Sequence, residues 1–226
     1  MYFVLLSTVA GILLLVVFLL SPESGDTIRR SGNTLVSAAF LASCVLCLSM
    51  TISPNWIGRA LGRHSRMHVR NEPGDSQRRF RGHHPDCVRF NDHRLSVGRR
   101  SLCPGCVGLM VGAIVAIALM AFCVIFVDDL SRGFSLALLV GGLCTVSFAL
   151  FEASIRRRDG AVHLVANALM IVGFLLLVVA MMSVGGAVPG LIAVAFSYLW
   201  IDARIELSLW RHNQVCSECP QKCKMY

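Results

Sequence analysis

The sequence predicts an all-α membrane protein in which six transmembrane helices carry a small cytoplasmic cap of cysteine and histidine metal ligands. Three observations lead to that class. Hydrophobic residues fill 55% of the 226 positions and charged residues only 15%, against about 45–50% and about 25% in ordinary soluble domains. Apolar runs recur that are long enough to cross a hydrocarbon core of about 30 Å, which takes roughly 20 helical residues. The basic residues are confined almost entirely to alternate connections between those runs.

The runs lie at 2–20, 34–53, 105–127, 134–153, 162–184 and 187–208. No basic residue precedes the first, and "LLSPESG" after it lacks a small-x-small cleavage pattern, so it reads as a retained anchor rather than a secretory signal. The last run is the least regular, because Asp202, Arg204 and Glu206 fall in its final third. Its apolar core is expected to leave the bilayer near Asp202 and to continue along the surface to Arg211. The chain thus divides into a helix pair at 1–53, a loop at 54–104, four helices within 105–209 and a tail at 210–226.

Charge sets the orientation. Of 21 Lys and Arg residues, 11 lie in the 54–104 loop, three are Arg156, Arg157 and Arg158, and four occur from Arg204 onward, which leaves only Arg29, Arg30 and Arg132 for the other side. Cytoplasmic loops retain Lys and Arg far more than external ones. Both termini, the long loop and the tail are therefore expected in the cytoplasm, with the protein integral to the cytoplasmic membrane. The net charge of +8 is mostly a consequence of topology. The Arg-rich stretch 59–81 is also basic enough to touch anionic lipid headgroups. Nucleic acid is disfavoured as a partner, since the stretch has no known nucleic-acid module and no basic-aromatic interleaving.

Ten cysteines fall into two groups. Cys44, Cys47, Cys123 and Cys144 lie within apolar runs, where a free cysteine behaves as a small buried hydrophobe. Cys87, Cys103, Cys106, Cys216, Cys219 and Cys223 all occur in segments assigned to the cytoplasm, a compartment that keeps thiols reduced. Clustered cysteines there point to metal rather than to structural disulfides. His83, His84 and His93 stand among them.

The sharpest element is "LCPGCVG" at 102–108, a C-P-x-C turn followed by glycine, the form of a zinc-ribbon or rubredoxin knuckle in which two thiolates converge on one ion. Two further ligands are needed. "HHPDC" offers His84 and Cys87, and "CSECPQKC" offers Cys216, Cys219 and Cys223. The knuckle and the tail could share one four-sulfur site, or each region could hold its own ion. One or two zinc ions are expected, because mixed Cys/His sets are zinc's usual structural environment. An iron–sulfur cluster is the competitor, although the C-x2-C-x3-C spacing of the tail departs from ferredoxin runs.

The pattern "HHPDC…H…LCPGCVGLMVG" resembles a family of small polytopic bacterial and archaeal membrane proteins of unknown function, whose signature is a Cys-His pair, a polar loop and C-x-R-C-x-G-x-x-x-G entering a transmembrane helix. Cys103, Cys106, Gly108 and Gly112 match its second half, while Gly105 stands where the signature has arginine. His83 and His84 replace the Cys-His pair, and the tail cysteines have no counterpart. The resemblance implies membrane insertion and a metal knuckle at the mouth of the third helix, and no catalytic activity.

Polar residues gather at the same membrane level as the knuckle: Glu152, then His163 with Asn167, then Tyr198, Asp202 and Glu206, the last three sharing one helix face by their spacing of four. One reading is a second metal site or proton-handling cluster in which Glu152, His163 and Asp202 converge. The other is a set of interfacial salt bridges to Arg156, Arg157, Arg158 or Arg204. Gly108 with Gly112, and Gly141 with Gly142, mark positions where helix backbones approach closely. The chain has no phosphate-binding loop, no Ser/His/Asp set and no inverted repeat. The expectation is a structural zinc cap in an accessory or scaffold subunit beside other membrane subunits. A membrane redox protein or metalloenzyme is the rival class, and a transporter a third.

Overall fold

The structure is a computed structural model that describes residues 2–21, 26–52, 80–81, 95–97, 100–127, 129–155 and 159–217. Among these residues six helices follow in order: α1 (Tyr2–Leu20), α2 (Asp26–Ile52), α3 (Pro104–Phe126), α4 (Arg132–Ser154), α5 (Gly160–Gly185) and α6 (Ala187–Ser217). Among the described residues, α2 to α6 each hold a stretch long and apolar enough to cross a membrane, and α1 adds the apolar stretch Leu5–Leu20. The protein is a helical membrane protein.

Two helices overrun their apolar runs. α2 starts at Asp26 rather than near 34, because its two polar opening turns carry no hydropathy signal although helical geometry tolerates them, and its apolar part, Asn33–Ile52, matches the expected span. α6 continues without interruption to Ser217. At 1.5 Å per residue its 31 residues reach about 46 Å, well beyond the hydrocarbon thickness, so its end projects from the bundle.

Local signals set the ends. Ser131 caps α4 by accepting from the Phe134 amide at 3.3 Å, and Asp159 caps α5 by accepting from the Ala161 amide at 2.9 Å. Gly186, at φ 70°, lets the chain turn directly from α5 into α6. Arg132 donates to the carbonyls of Leu19 at 3.2 Å and Phe18 at 3.5 Å, closing the end of α1 with a cation where the helix dipole is negative.

The organising element is α5. It packs against both α3 and α4, and 67% of its apolar window is buried, against 22% for α3 and 28% for α4. Glycines make this possible. A Cβ at Gly108 would overlap the Leu164 carbonyl oxygen of α5, and one at Gly112 would come within 2.7 Å of the Ala168 carbonyl. On the other side, a Cβ at Gly142 would lie 2.9 Å from the Gly173 carbonyl. The expected close-approach positions are thus backbone-to-backbone seams, apart from Gly141, whose nearest neighbour is the tip of Leu176.

α6 and α1 close the remaining side. The Trp200 indole N–H donates to the Ser7 carbonyl at 3.3 Å and its ring stacks on Phe174 with centroids 6.2 Å apart. The outer faces are apolar and exposed, including Leu20, Ile125, Phe126 and Phe151, which suits contact with lipid.

Outside the helices lies a small sheet, a departure from a purely helical chain. β1 (Phe80–Arg81), β2 (Leu95–Val97) and β3 (Arg100–Leu102) pair in the order β1-β3-β2, with β1 parallel and β2 antiparallel to β3. The central strand, β3, runs straight into Cys103 and α3.

Candidate functional site

Cys103 is the N-cap of α3 and Pro104 occupies the first helical position, which needs no N–H and suits the fixed φ of proline. The Val107 amide donates to the Cys103 carbonyl at 3.1 Å, so Cys106 sits in the first turn. Cys103 is buried, Cys106 is half-buried, and the two side chains hydrogen-bond each other. Both thiols thus stand at a helix start, where unpaired N–H groups and the positive end of the dipole suit a metal-bound sulfur.

Of the nine metal-ligand candidates, Cys103 and Cys106 are the two whose side chains are described. His83, His84, Cys87, His93, Cys219 and Cys223 lie outside the described residues; Cys216 falls in the last turn of α6, with its side chain also outside them. Among the described residues no three Cys, His, Asp or Glu side chains are gathered around one point.

Directly behind the knuckle is a buried charge cluster. Glu152, near the end of α4, is 3% exposed, His163, in the first turn of α5, is 6% exposed, and Arg204 of α6 is 8% exposed. The His163 Nδ1 donates to both carboxylate oxygens of Glu152, at 3.0 and 3.1 Å. The Arg204 Nη2 donates to Glu152 Oε2 at 3.4 Å. A buried carboxylate requires such partners, because leaving it unpaired costs several kcal/mol. Asn167, one turn along α5, donates to the His163 carbonyl at 2.6 Å, and its Oδ1 is buried with no hydrogen-bond partner among the described residues.

Gly105 joins the two features. A Cβ built there would lie 3.0 Å from His163 Nε2, 3.4 Å from Cδ2 and 3.6 Å from Asn167 Nδ2. The imidazole therefore lies against the residue between Pro104 and Cys106, in the space that a side chain on Gly105 would need.

The sequence offered two readings for these polar residues; the described contacts pair Glu152 with His163 and with Arg204, one of the salt-bridge partners named there. Asp202 is exposed and Glu206 half-buried, and neither joins the cluster. α6 buries the stripe Ala193, Ser197, Trp200 and Arg204, whose spacings of four, three and four follow the 3.6-residue period. Tyr198 and Asp202 are exposed on another face, and the Tyr198 hydroxyl pairs with Ser43 of α2 at 2.6 Å. Sequence reasoning also treated Cys47 as simple packing. On α2, which packs against α3, it is an electrostatic neighbour of Cys106.

The arrangement offers two thiols at a helix start, a nearby third thiol, and an imidazole oriented by a carboxylate. That donor set suits a soft or borderline cation such as zinc. Compared with protein-family models, curated proteins and solved structures, the chain matches none.

Proposed function

We propose that this protein is an integral component of the cytoplasmic membrane in which Cys103 and Cys106 form half of a zinc site, fastening the 54–103 loop and the C-terminal tail to the start of α3. The observation that carries this reading is the contact between the two thiols at the N-cap and first turn of a helix that is itself locked to α5 through Gly108 and Gly112. An ion held there ties the loop and the tail to a helix that packs directly against α5. Structural zinc contributes about 10–16 kcal/mol of apparent binding free energy, far more than a loop of that length gains from a core of its own.

The remaining ligands come from His83, His84, Cys87 and His93 in the loop or from Cys216, Cys219 and Cys223 in the tail. With six membrane crossings, the charge distribution puts the loop, the tail and both termini in the cytoplasm. The Arg-rich loop then faces anionic headgroups. The role that fits a stapled, catalytically bare cap is that of an accessory or scaffold subunit beside other membrane proteins.

Elemental analysis of the detergent-purified protein, with an absorption spectrum of the same sample, tests the site. Roughly one or two equivalents of zinc without colour are expected, and Cys106→Ser should release metal and leave the loop open to protease while the helices stay inserted. Stoichiometric iron with visible absorption would replace the zinc reading with an iron–sulfur protein. Unchanged metal content in Cys106→Ser would end the knuckle assignment.

A further inference from the structure

We propose that the outward face of α6 is a docking surface for a transmembrane helix of another protein, one that carries a Lys or Arg at the matching depth to pair with Asp202. This gives the accessory-subunit reading a surface and a kind of partner; it rests on that reading and not on the zinc knuckle.

The spacing of the exposed residues is the first argument. From Leu191 to Leu209 the exposed residues of α6 are Leu191, Ala195, Tyr198, Asp202, Ile205 and Leu209. Their spacings of four, three, four, three and four follow the heptad repeat that keeps one seam of a helix against a partner helix. Ala195 is small enough to let a neighbouring backbone come close. The Tyr198 hydroxyl already pairs with Ser43 of α2 at 2.6 Å, so that polar tip is satisfied within the bundle. Asp202 is the exception in the seam: it is exposed, and among the described residues it has no ion-pair partner.

Lipid alone suits this face at no depth. α6 runs unbroken to Ser217, and at 1.5 Å per residue Ile205 and Leu209 lie about 5 and 10 Å beyond Asp202 toward the end of the helix. With Asp202 at the headgroups, those two apolar side chains, 52% and 53% exposed, are carried into the polar layer and beyond it. With Ile205 and Leu209 in hydrocarbon, the carboxylate is in hydrocarbon too, where ionisable groups are costly and pair with one another or face protein. A helix laid along the seam removes both costs at once.

Charge decides which helix. A second copy packed through the same seam about a two-fold axis would set Asp202 against Asp202, and like charges repel strongly where little water screens them. The arginine of α6 itself does not serve, because Arg204 is buried and donates to Glu152 at 3.4 Å on the inner side of the helix. A Lys or Arg on a different membrane protein balances the carboxylate, and a single polar position in an otherwise apolar heptad fixes the register of the pair.

Photocrosslinking of the full-length protein in the membranes of the cells that make it tests this. A benzophenone side chain in place of Leu191 or Ile205 should give an adduct with another membrane protein. The same group in place of Phe151, 67% exposed near the end of α4, should not. Mass spectrometry should put the attachment on a membrane-spanning segment that carries a Lys or Arg. Asp202→Asn, which keeps the shape and removes the charge, should lower the yield by roughly tenfold, the order expected for one interhelical polar contact. Asp202→Lys should abolish the adduct, and exchanging the partner's basic residue for aspartate should restore it. Both variants should unfold at the wild-type temperature, which separates a lost partner from a lost fold. Adducts only with a second copy, only with the chain's own 54–103 loop, or insensitive to both Asp202 changes would overturn the proposal. If Phe151 captures a membrane protein and the α6 positions do not, the accessory-subunit reading stands and this surface is the wrong one; if no position captures one, that reading fails as well.

Discussion

His163 and Glu152 are eleven residues apart, on consecutive helices, and the imidazole Nδ1 meets both carboxylate oxygens within 3.1 Å. The pair sits where the end of α4 and the start of α5 reach the level of the knuckle, so a charge cluster and a metal-type motif share one end of the bundle.

Breaking that cluster from one side should be costly. Glu152→Ala leaves Arg204 buried without its carboxylate, and the loss expected for orphaning one partner of a buried pair is about 3–5 kcal/mol. Replacing Glu152 and Arg204 together by leucine should cost less than the sum of the single changes, as a double-mutant cycle in detergent-solubilised protein would register. Additive losses would mean that the two groups are not coupled.

The seam between α3 and α5 tolerates no added carbon. Gly108→Ala drives a methyl group into the Leu164 carbonyl, and overpacking of this kind typically costs about 1–3 kcal/mol. Gly133→Ala is the control: nothing lies within 4 Å of its Cβ position, and alanine is the better helix former by roughly 0.5–1 kcal/mol. Thermal unfolding of the two variants should therefore shift in opposite directions; a Gly108→Ala protein as stable as wild type would count against the seam.

Arg132→Gln removes the guanidinium from the carbonyls of Phe18 and Leu19. The change should cost about 0.3–1 kcal/mol, confined to the end of α1. Hydrogen exchange of the last turn of α1 should quicken while α5 keeps its protection, and uniform loss of protection would contradict so local a role.

The orientation assigned from charge makes a labelling prediction. A membrane-impermeant thiol reagent applied to intact cells should leave Cys216, Cys219 and Cys223 unmodified and should reach them after permeabilisation. Modification from outside would invert the topology and remove the compartment argument for metal.

The membrane character, the positions of the apolar runs and the pairing of Gly108 with Gly112 were legible in the sequence, because each depends on composition or on spacing along one helix. What escaped was the rotation of α6. Tyr198, Asp202 and Glu206 form a polar stripe by counting in fours, yet the buried stripe is Ala193, Ser197, Trp200 and Arg204. Packing of Trp200 against Phe174 and of its indole on Ser7 decides which stripe turns inward, and neither contact is encoded locally. The nearness of Cys47 to Cys106 escaped for the same reason: the two meet across the α2–α3 interface and are 59 positions apart in sequence.

The central place of α5 also bears on how the molecule is made. α5 leaves the ribosome after both α3 and α4, and until it arrives the glycine-lined surfaces that these two turn toward it have nothing to close on. Glu152 likewise precedes His163 and Arg204 in the chain, so it emerges ahead of both partners. Nascent chains therefore pass through a stage with open helix seams and an uncompensated carboxylate, a natural hold point for insertion factors and for membrane proteases. The packing of α3 and α4 is complete only once α5 has docked, and the charge cluster only once α6 has brought Arg204.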